Sequence, residues 1–183
     1  MGTLRIPIQV SRLSEDEQIK QMRNMACMLH STYFGVLQAL RKEKGLFAIC
    51  ELSIKGIDEM LKAYFNFLEN QSVPEIIAHL ENTGIYQNIE LVKKGDRYML
   101  DIGKCMFAGG AEGVHSTIKG IDMPCPIALF ISSCLAKENP LKRIYIYPSV
   151  YDEEGVTTQI DMVSPEEFEK RMNELNKIAK IEK

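Results

Sequence analysis

The chain has 183 residues, of which 45% are hydrophobic and 26% are charged, and its formal net charge at pH 7 is −3. These values predict one soluble domain with a full core, and they exclude the strongly basic proteins that bind nucleic acid through phosphate contacts. The N-terminal sequence lacks the apolar core of a signal peptide, and no apolar run reaches the roughly 20 residues of a membrane span. We therefore expect a cytoplasmic protein.

Residues 14–84 are predicted to be helical. Ser14 and Glu17 have the spacing of a capping box, and the apolar residues that follow recur at helical spacing through "LQALRKEKG", which predicts one long amphipathic helix. The segment "LFAICELSI" leaves strand and buried helix both open, and "GIDEMLKAYFNFLEN" predicts a second helix. A third helix is predicted over "VPEIIAHLENTG", beginning at Pro74 and ending at Gly84.

In residues 85–163 the spacing of the apolar residues changes from the helical period to the alternation that is typical of β-strands. The segment "YQNIELVKKGDRYMLDIGKC" alternates about "KKGD", which predicts a β-hairpin. The Gly-rich "FAGGAEG" follows, and Pro126 introduces a helix over "IALFISSCLAKE". A second hairpin is predicted from "LKRIYIYPSVY" and "GVTTQIDMV", joined by "DEEG". Residues 164–183 predict a last helix, with Ser164 and Glu167 as its capping box.

This order of elements predicts the fold class. Helices, a hairpin, a helix, a second hairpin and a final helix are typical of an α+β protein. We expect residues 1–183 to form a single domain. Its four-stranded antiparallel sheet, made of the two hairpins, should pack against the long N-terminal helix and several further helices.

Three of the five cysteines and one of the three histidines lie between residues 101 and 136. Cys105, His115 and Cys125 fall at a predicted strand end, in the Gly-rich loop and at a helix start, three places that can converge. Thiolate and imidazole are ligands that zinc prefers, so we predict a zinc site there. Cys134 lies some 13 Å further along the helix, at about 1.5 Å per residue, which favours pocket lining or core over a fourth ligand.

Other interpretations of the same residues stay open. A cysteine and a histidine within hydrogen-bonding reach would suit thiol-dependent or metal-assisted hydrolysis. Glu112 and Asp122 flank His115 and Cys125, where a carboxylate serves as a general base or orients a metal ligand. Buried cysteines also act simply as small hydrophobic residues, in which case there is no site.

Four further residues are weaker candidates. Cys27 and His30 lie three positions apart on the first helix, where a core or edge histidine is favoured over a ligand. His79 is expected on a partly exposed helix face, and Cys50 in the core.

The chain resembles the 4-vinyl reductase domain, a hydrocarbon-binding family that shares its fold with small TRAPP vesicle-tethering subunits. The resemblance covers about residues 73–163 and is clearest from "VPEIIAHLENTGIYQNIELVKKGDRYMLDIGKCMFA" to "PCPIALFISSCLA" and "RIYIYPSVY". It implies a metal or ligand site at Cys105 and Cys125. The proposed role of His115 as a ligand rests on its spacing in the sequence alone. Members of that family usually have a further cysteine on the last strand, and the corresponding segment here, "TTQIDMVSP", lacks it. The resemblance also implies dimerisation through helices, which suits the Met-rich first helix.

Three functions are consistent with these features. The first is a sensor or carrier domain that binds a small apolar ligand beside a Cys/His zinc site and forms a homodimer. The second is a hydrolase that uses the same residues, and the third is an assembly module whose metal is purely structural.

Overall fold

The computed structural model describes residues 14–64, 70–83, 86, 88–103, 123–152 and 155–181. Within them the chain is an α+β protein with five helices: α1 (Glu15–Lys44), α2 (Leu46–Tyr64), α3 (Val73–Asn82), α4 (Pro126–Glu138) and α5 (Pro165–Ile181). Its five strands are β1 (Ile89–Lys94), β2 (Arg97–Gly103), β3 (Arg143–Ile146), β4 (Val150–Tyr151) and β5 (Gly155–Val163). No helix in these ranges combines the length and the apolar character needed to cross a membrane.

Helix α1 begins at the predicted capping box. The amide of Glu17 donates to Ser14 Oγ, and the Glu17 carboxylate accepts from the Ser14 amide at 2.9 Å. The helix ends at Gly45, whose φ of 83° lies in the left-handed region that favours glycine. This conformation lets the chain start α2 at the next residue.

Helix α2 joins two segments that the sequence predicts as separate elements. The open choice at "LFAICELSI" is resolved as helix, and that helix continues without a break through "GIDEMLKAY". Cys50, Ser53 and Ile57 recur three or four residues apart and are all buried, which gives α2 one continuous inner face. Gly56 is therefore a residue within the helix rather than its start.

The first hairpin forms as predicted. Lys94 pairs with Arg97 next to the turn, and Gly95 adopts a φ of 64° within it. The strand order is β1-β2-β5-β3, and all the pairs are antiparallel. Strand β5, the last of the five in the chain, therefore lies in the middle of the sheet, with β2 of the first hairpin on one side and β3 and β4 on the other.

The predicted four-stranded sheet is wrong, because the segment "RIYIYPSVY" forms two strands. β3 and β4 both pair with β5, and Ile146 is opposite Ile160 while Val150 is opposite Thr157. The outer segment therefore contains one residue more than β5 between these pairs, which is a β-bulge. Pro148 lies in the bulge, where it has no amide hydrogen to offer to the sheet.

The predicted packing of α1 is also wrong in part. Helix α1 packs mainly against α2, and α2 packs against α4. Helices α4 and α5 contact the sheet at β3, and α4 supplies fully buried side chains such as Leu129 and Ile131 to the core. The long N-terminal helix therefore lies outside the layer formed by α2 and α4, which leaves part of its apolar surface without cover.

Candidate functional site

An open apolar groove of about 530 Å³ lies between helices α1, α2 and the first turns of α4. Nearly all the lining side chains are apolar: Tyr33, Val36, Leu37, Leu40, Leu52, Ile57, Met60, Pro126, Ile127 and Phe130, with Ser53 and Gly56 between them. Val36 is 52% exposed and Leu52 is 54% exposed, so large apolar side chains at the groove face solvent. The volume falls within the range of roughly 300–1,000 Å³ that is usual for small-molecule sites.

The polar groups of the groove are few and are paired with one another. The hydroxyl of Tyr33 shares a hydrogen bond with the Ser53 side chain. Burial raises the pKa of Tyr33, with that hydrogen bond acting in the opposite direction, so the phenol stays neutral at physiological pH. The groove therefore offers apolar contact area and neutral hydroxyls, a surface suited to a neutral apolar molecule.

Polar contacts between α2 and α4 hold two walls of the groove in place. Ser133 Oγ donates to the carbonyl oxygen of Ile54 at 3.3 Å. One turn further along α4, Lys137 Nζ lies 3.3 Å from a carboxylate oxygen of Asp58. Because none of these four residues lines the groove, the contacts fix the spacing of the helices without crossing the apolar surface.

Cys125 is the N-cap residue of α4 and immediately precedes the groove residue Pro126. Its side chain is only 3% exposed, and it makes no capping hydrogen bond. Its amide donates a 2.7 Å hydrogen bond to Ser149 Oγ. Cys125 thus lies between the groove and the sheet, at the end of the segment in which the other proposed zinc ligands occur.

The bulge between β3 and β4 positions this helix start. Ser149 is buried, its amide donates to the carbonyl oxygen of Met123, and its hydroxyl lies 2.6 Å from Thr158 Oγ1 on β5. The extra residue of the bulge turns Ser149 inward, away from the regular pairing with β5. A short chain of hydroxyl groups therefore connects the centre of the sheet to the first turn of α4.

Cys134 lies in the third turn of α4 and is 3% exposed. Burial raises the pKa of its thiol to about 11, and the positive charge of Lys137 opposes that shift only in part. A thiol with this pKa stays protonated at neutral pH, which disfavours it both as a nucleophile and as a metal ligand. Cys134 does not line the groove, so the predicted role in a pocket finds no support there.

Comparison of the chain with protein-family models, curated proteins and solved structures gives no match. The resemblance to the 4-vinyl reductase domain consequently rests on the sequence pattern and remains a hypothesis.

Most of the predicted zinc site lies outside the described residues. Cys105, Glu112, His115 and Asp122 all fall in the undescribed range 104–122, so their convergence on Cys125 stays a prediction. Among the residues that are described, no three histidine, cysteine or acidic side chains are grouped so as to hold a metal ion.

The weaker candidates have separate outcomes. Cys50 is 4% exposed, which confirms it as a core residue, and His79 is exposed on α3 as expected. The side chains of Cys27 and His30 lie outside the described part of α1.

Sequence reasoning missed most of the groove. Only the start of the apolar "PIALFISSCLA" segment lines it, and the other walls come from α1 and α2. The available signal was the presence of apolar residues on more than one side of these helices, as at Val36 and Leu52. Such residues are typical of a helix that contacts more than one partner.

Proposed function

We propose that this chain is a binding domain for a small, neutral, apolar molecule, which occupies the groove between α1, α2 and α4. The observation that carries the proposal is the groove itself, about 530 Å³ in volume and apolar in nearly all of its lining. Covering the apolar surface exposed at Val36 and Leu52 lowers the free energy, which favours binding of an apolar molecule. The paired hydroxyls of Tyr33 and Ser53 supply a small polar contact of the kind that orients a ligand.

A zinc site at Cys105, His115 and Cys125 is part of this proposal. Cys125 precedes Pro126, so a metal at that residue would lie beside the inner end of the groove. Its role would be structural, fixing the start of α4, or it would contact a polar end of the bound molecule. Hydrolytic chemistry by the same residues is the alternative. The buried position of Cys125 and the high pKa of Cys134 do not favour a reactive thiol.

Gly56 provides a direct test of ligand binding. A Cβ atom at this position would meet no heavy atom within 4 Å, and the glycine lines the groove. The Gly56→Leu variant should therefore fold and fill the groove. The Gly35→Leu variant is the matched control, since Gly35 is also helical with open space around it but does not line the groove.

The fluorescence of the neutral dye N-phenylnaphthylamine gives the measurement. The wild type and Gly35→Leu should bind the dye saturably, and a long-chain alcohol should displace it. Gly56→Leu should bind it at least about tenfold more weakly, because a filled site loses the apolar contact area. Equal dye binding by all three proteins, or no saturable binding by the wild type, would refute the proposed function.

A second function, assembly through α1, is favoured by a separate observation. The apolar side chains of its first half are exposed: Ile19, Met22, Met25, Met28 and Leu29 each have between 56% and 69% of their surface accessible. We define these residues as the α1 stripe. An exposed apolar surface of this kind is typical of a protein interface, and methionine suits it because its side chain adapts to a partner.

We expect a second copy of the chain to cover the α1 stripe, in accord with the predicted homodimer. Light scattering after size exclusion should give the mass of a dimer for the wild type and of a monomer for the double variant Met22→Glu/Met25→Glu. Lys20→Glu changes the net charge by the same amount as the double variant, at an exposed position on the side of α1 away from the stripe, and should leave the dimer intact. A wild type that is monomeric at every concentration would refute the homodimer without affecting the groove.

A further inference from the structure

A polar cleft of about 590 Å³ lies where the β1–β2 turn, the start of β3 and the first turn of α5 meet, and it shares no lining residue with the groove. Its charged lining consists of four cationic side chains, Lys94, Arg97, Lys142 and Arg171, and three carboxylates, Asp96, Asp161 and Glu167. The cleft is thus locally positive in a chain whose formal net charge is −3.

Asp161 organises the two arginines. Its side chain is 7% exposed, and its two oxygens accept separate hydrogen bonds, at 3.0 Å from Arg97 Nε and at 2.9 Å from Arg171 Nη1. Gln159 and Tyr147 donate to the same carboxylate, at 3.1 and 3.2 Å. A buried acid with four donors is fully satisfied, so it holds both guanidinium groups in fixed positions on the wall of the cleft.

Both arginines keep donor groups available. Arg171 uses Nε on Glu167 and Nη1 on Asp161 and Tyr147, and within the described residues its Nη2 group has no hydrogen-bond acceptor. Arg97 uses only Nε there, and its side chain is 54% exposed. Fixed, planar N–H donors of this kind are the groups that recognise phosphate and carboxylate oxygens.

Lys94 adds a charge that no described carboxylate neutralises. It lines the cleft, and none of the described acidic side chains forms an ion pair with it. Lys142, in contrast, lies 3.2 Å from Asp96, which connects the β1–β2 turn to the start of β3 and closes one side of the cleft. The cationic groups therefore divide into those that build the walls and those that remain open to a bound anion.

From this arrangement we infer that the cleft binds the oxyanion of a small molecule, a phosphate or a carboxylate, through Arg97, Arg171 and Lys94. This site is separate from the apolar groove and does not depend on the function proposed for it. The volume of about 590 Å³ exceeds that of a simple ion, so it accommodates an organic portion beside the anionic group.

The test titrates the full chain with pyrophosphate and, in a second arm, with citrate, at constant ionic strength, by calorimetry. The wild type should bind one equivalent of at least one of these anions, and the stronger ligand identifies the preferred oxyanion. Arg97→Gln should weaken binding about tenfold or more, the expected effect of losing a charge-assisted hydrogen bond. Lys94→Gln should weaken it severalfold, and because Lys94 has no described ion pair, this variant separates binding from folding.

The matched control is Lys55→Gln. Lys55 is an exposed lysine on α2, paired with Glu51 and outside the cleft, so its loss removes the same charge from the chain. Its affinity for the anion should equal that of the wild type. Absence of binding by the wild type, or an equal loss of affinity in Lys55→Gln and Lys94→Gln, would overturn the inference.

Discussion

The amide of Cys125 donates a hydrogen bond to Ser149 Oγ at 2.7 Å, and this contact joins the start of α4 to the bulge between β3 and β4. Ser149 Oγ also lies 2.6 Å from Thr158 Oγ1 in the central strand. The first turn of α4 is thus fixed to the sheet by side-chain hydrogen bonds as well as by apolar packing. Because that turn forms part of the groove, the contact connects sheet stability to the shape of the proposed ligand site.

Removal of the Ser149 hydroxyl should therefore be costly. Ser149→Ala leaves the buried Cys125 amide without its acceptor and should lower the free energy of unfolding by about 1–3 kcal/mol. Ser132 is the matched control, since it is fully buried on α4 but its hydroxyl has no hydrogen-bond partner among the residues that the structure describes. Ser132→Ala should be neutral or slightly stabilising in the same denaturant titration. Equal losses in the two variants would contradict the role assigned to Ser149.

Asp161 should make the stability depend on pH. Burial raises its pKa, but the hydrogen bonds from Arg171, Arg97 and Gln159 outweigh burial, and the pKa is lowered overall. An acid whose pKa is lower in the folded protein contributes fully above its unfolded pKa of about 4, and this contribution is lost as the pH falls below that value. Asp161→Asn should therefore lose about 2–4 kcal/mol at pH 7, and this loss should shrink progressively as the pH falls through the folded pKa of Asp161, which lies below its usual value.

A surface acid provides the comparison for Asp161. Asp96 pairs with Lys142 but its side chain is 71% exposed, so Asp96→Asn should change the free energy of unfolding by less than about 0.5 kcal/mol. Urea titrations of both variants at several pH values measure the difference. A pH profile of Asp161→Asn that parallels the wild type would show that Asp161 does not carry the acid sensitivity.

The effect of Gly→Ala substitutions on the free energy of unfolding should depend on the space available for the new Cβ atom. Gly56→Ala and Gly35→Ala lie within helices with open space around the new Cβ, and each should raise the free energy of unfolding by about 0.5–1 kcal/mol. A Cβ at Gly155 would collide with the carbonyl oxygen of Ile102 on the neighbouring strand. Gly155→Ala should therefore lower stability by about 1–3 kcal/mol. Thermal and denaturant unfolding of the three variants check the order.

The zinc prediction is tested by metal analysis of the purified protein. The wild type and Cys134→Ala should carry close to one zinc per chain, and Cys105→Ser, His115→Ala and Cys125→Ser should each lose most of it. Removal of the metal with a chelator should also lower the melting temperature, because a metal bound only by the folded state stabilises it. Metal-free wild type with unchanged stability in the three ligand variants would refute the site.

Local signals predicted the features that depend on a few adjacent residues. The capping box at Ser14 and Glu17, the turn at Gly95 and the helix that begins at Pro126 all follow from contacts within one turn. The predicted helix start at Gly56 is wrong because a single glycine costs only about 1 kcal/mol in a helix, and the buried neighbours in α2 offset that cost.

Features that depend on distant partners could not be predicted. The bulge brings Ser149 to the amide of Cys125 and the hydroxyl of Thr158, residues that lie 24 and 9 positions away from it in the chain. The groove likewise combines three helices, and the Arg97–Asp161 contact joins two strands that are not consecutive in sequence. Apolar periodicity identified the inner face of each helix but contained no information on which neighbour would cover it.

The bulge also has a consequence for aggregation. Open sheet edges can pair with other chains, and bulges, prolines and lysines are the usual means of preventing this. At one edge, Pro148 and the extra residue interrupt the row of backbone donors between β3 and β4. The other edge, β1, ends in the exposed Lys93 and Lys94. Strand-to-strand growth is therefore discouraged at both edges of the described sheet.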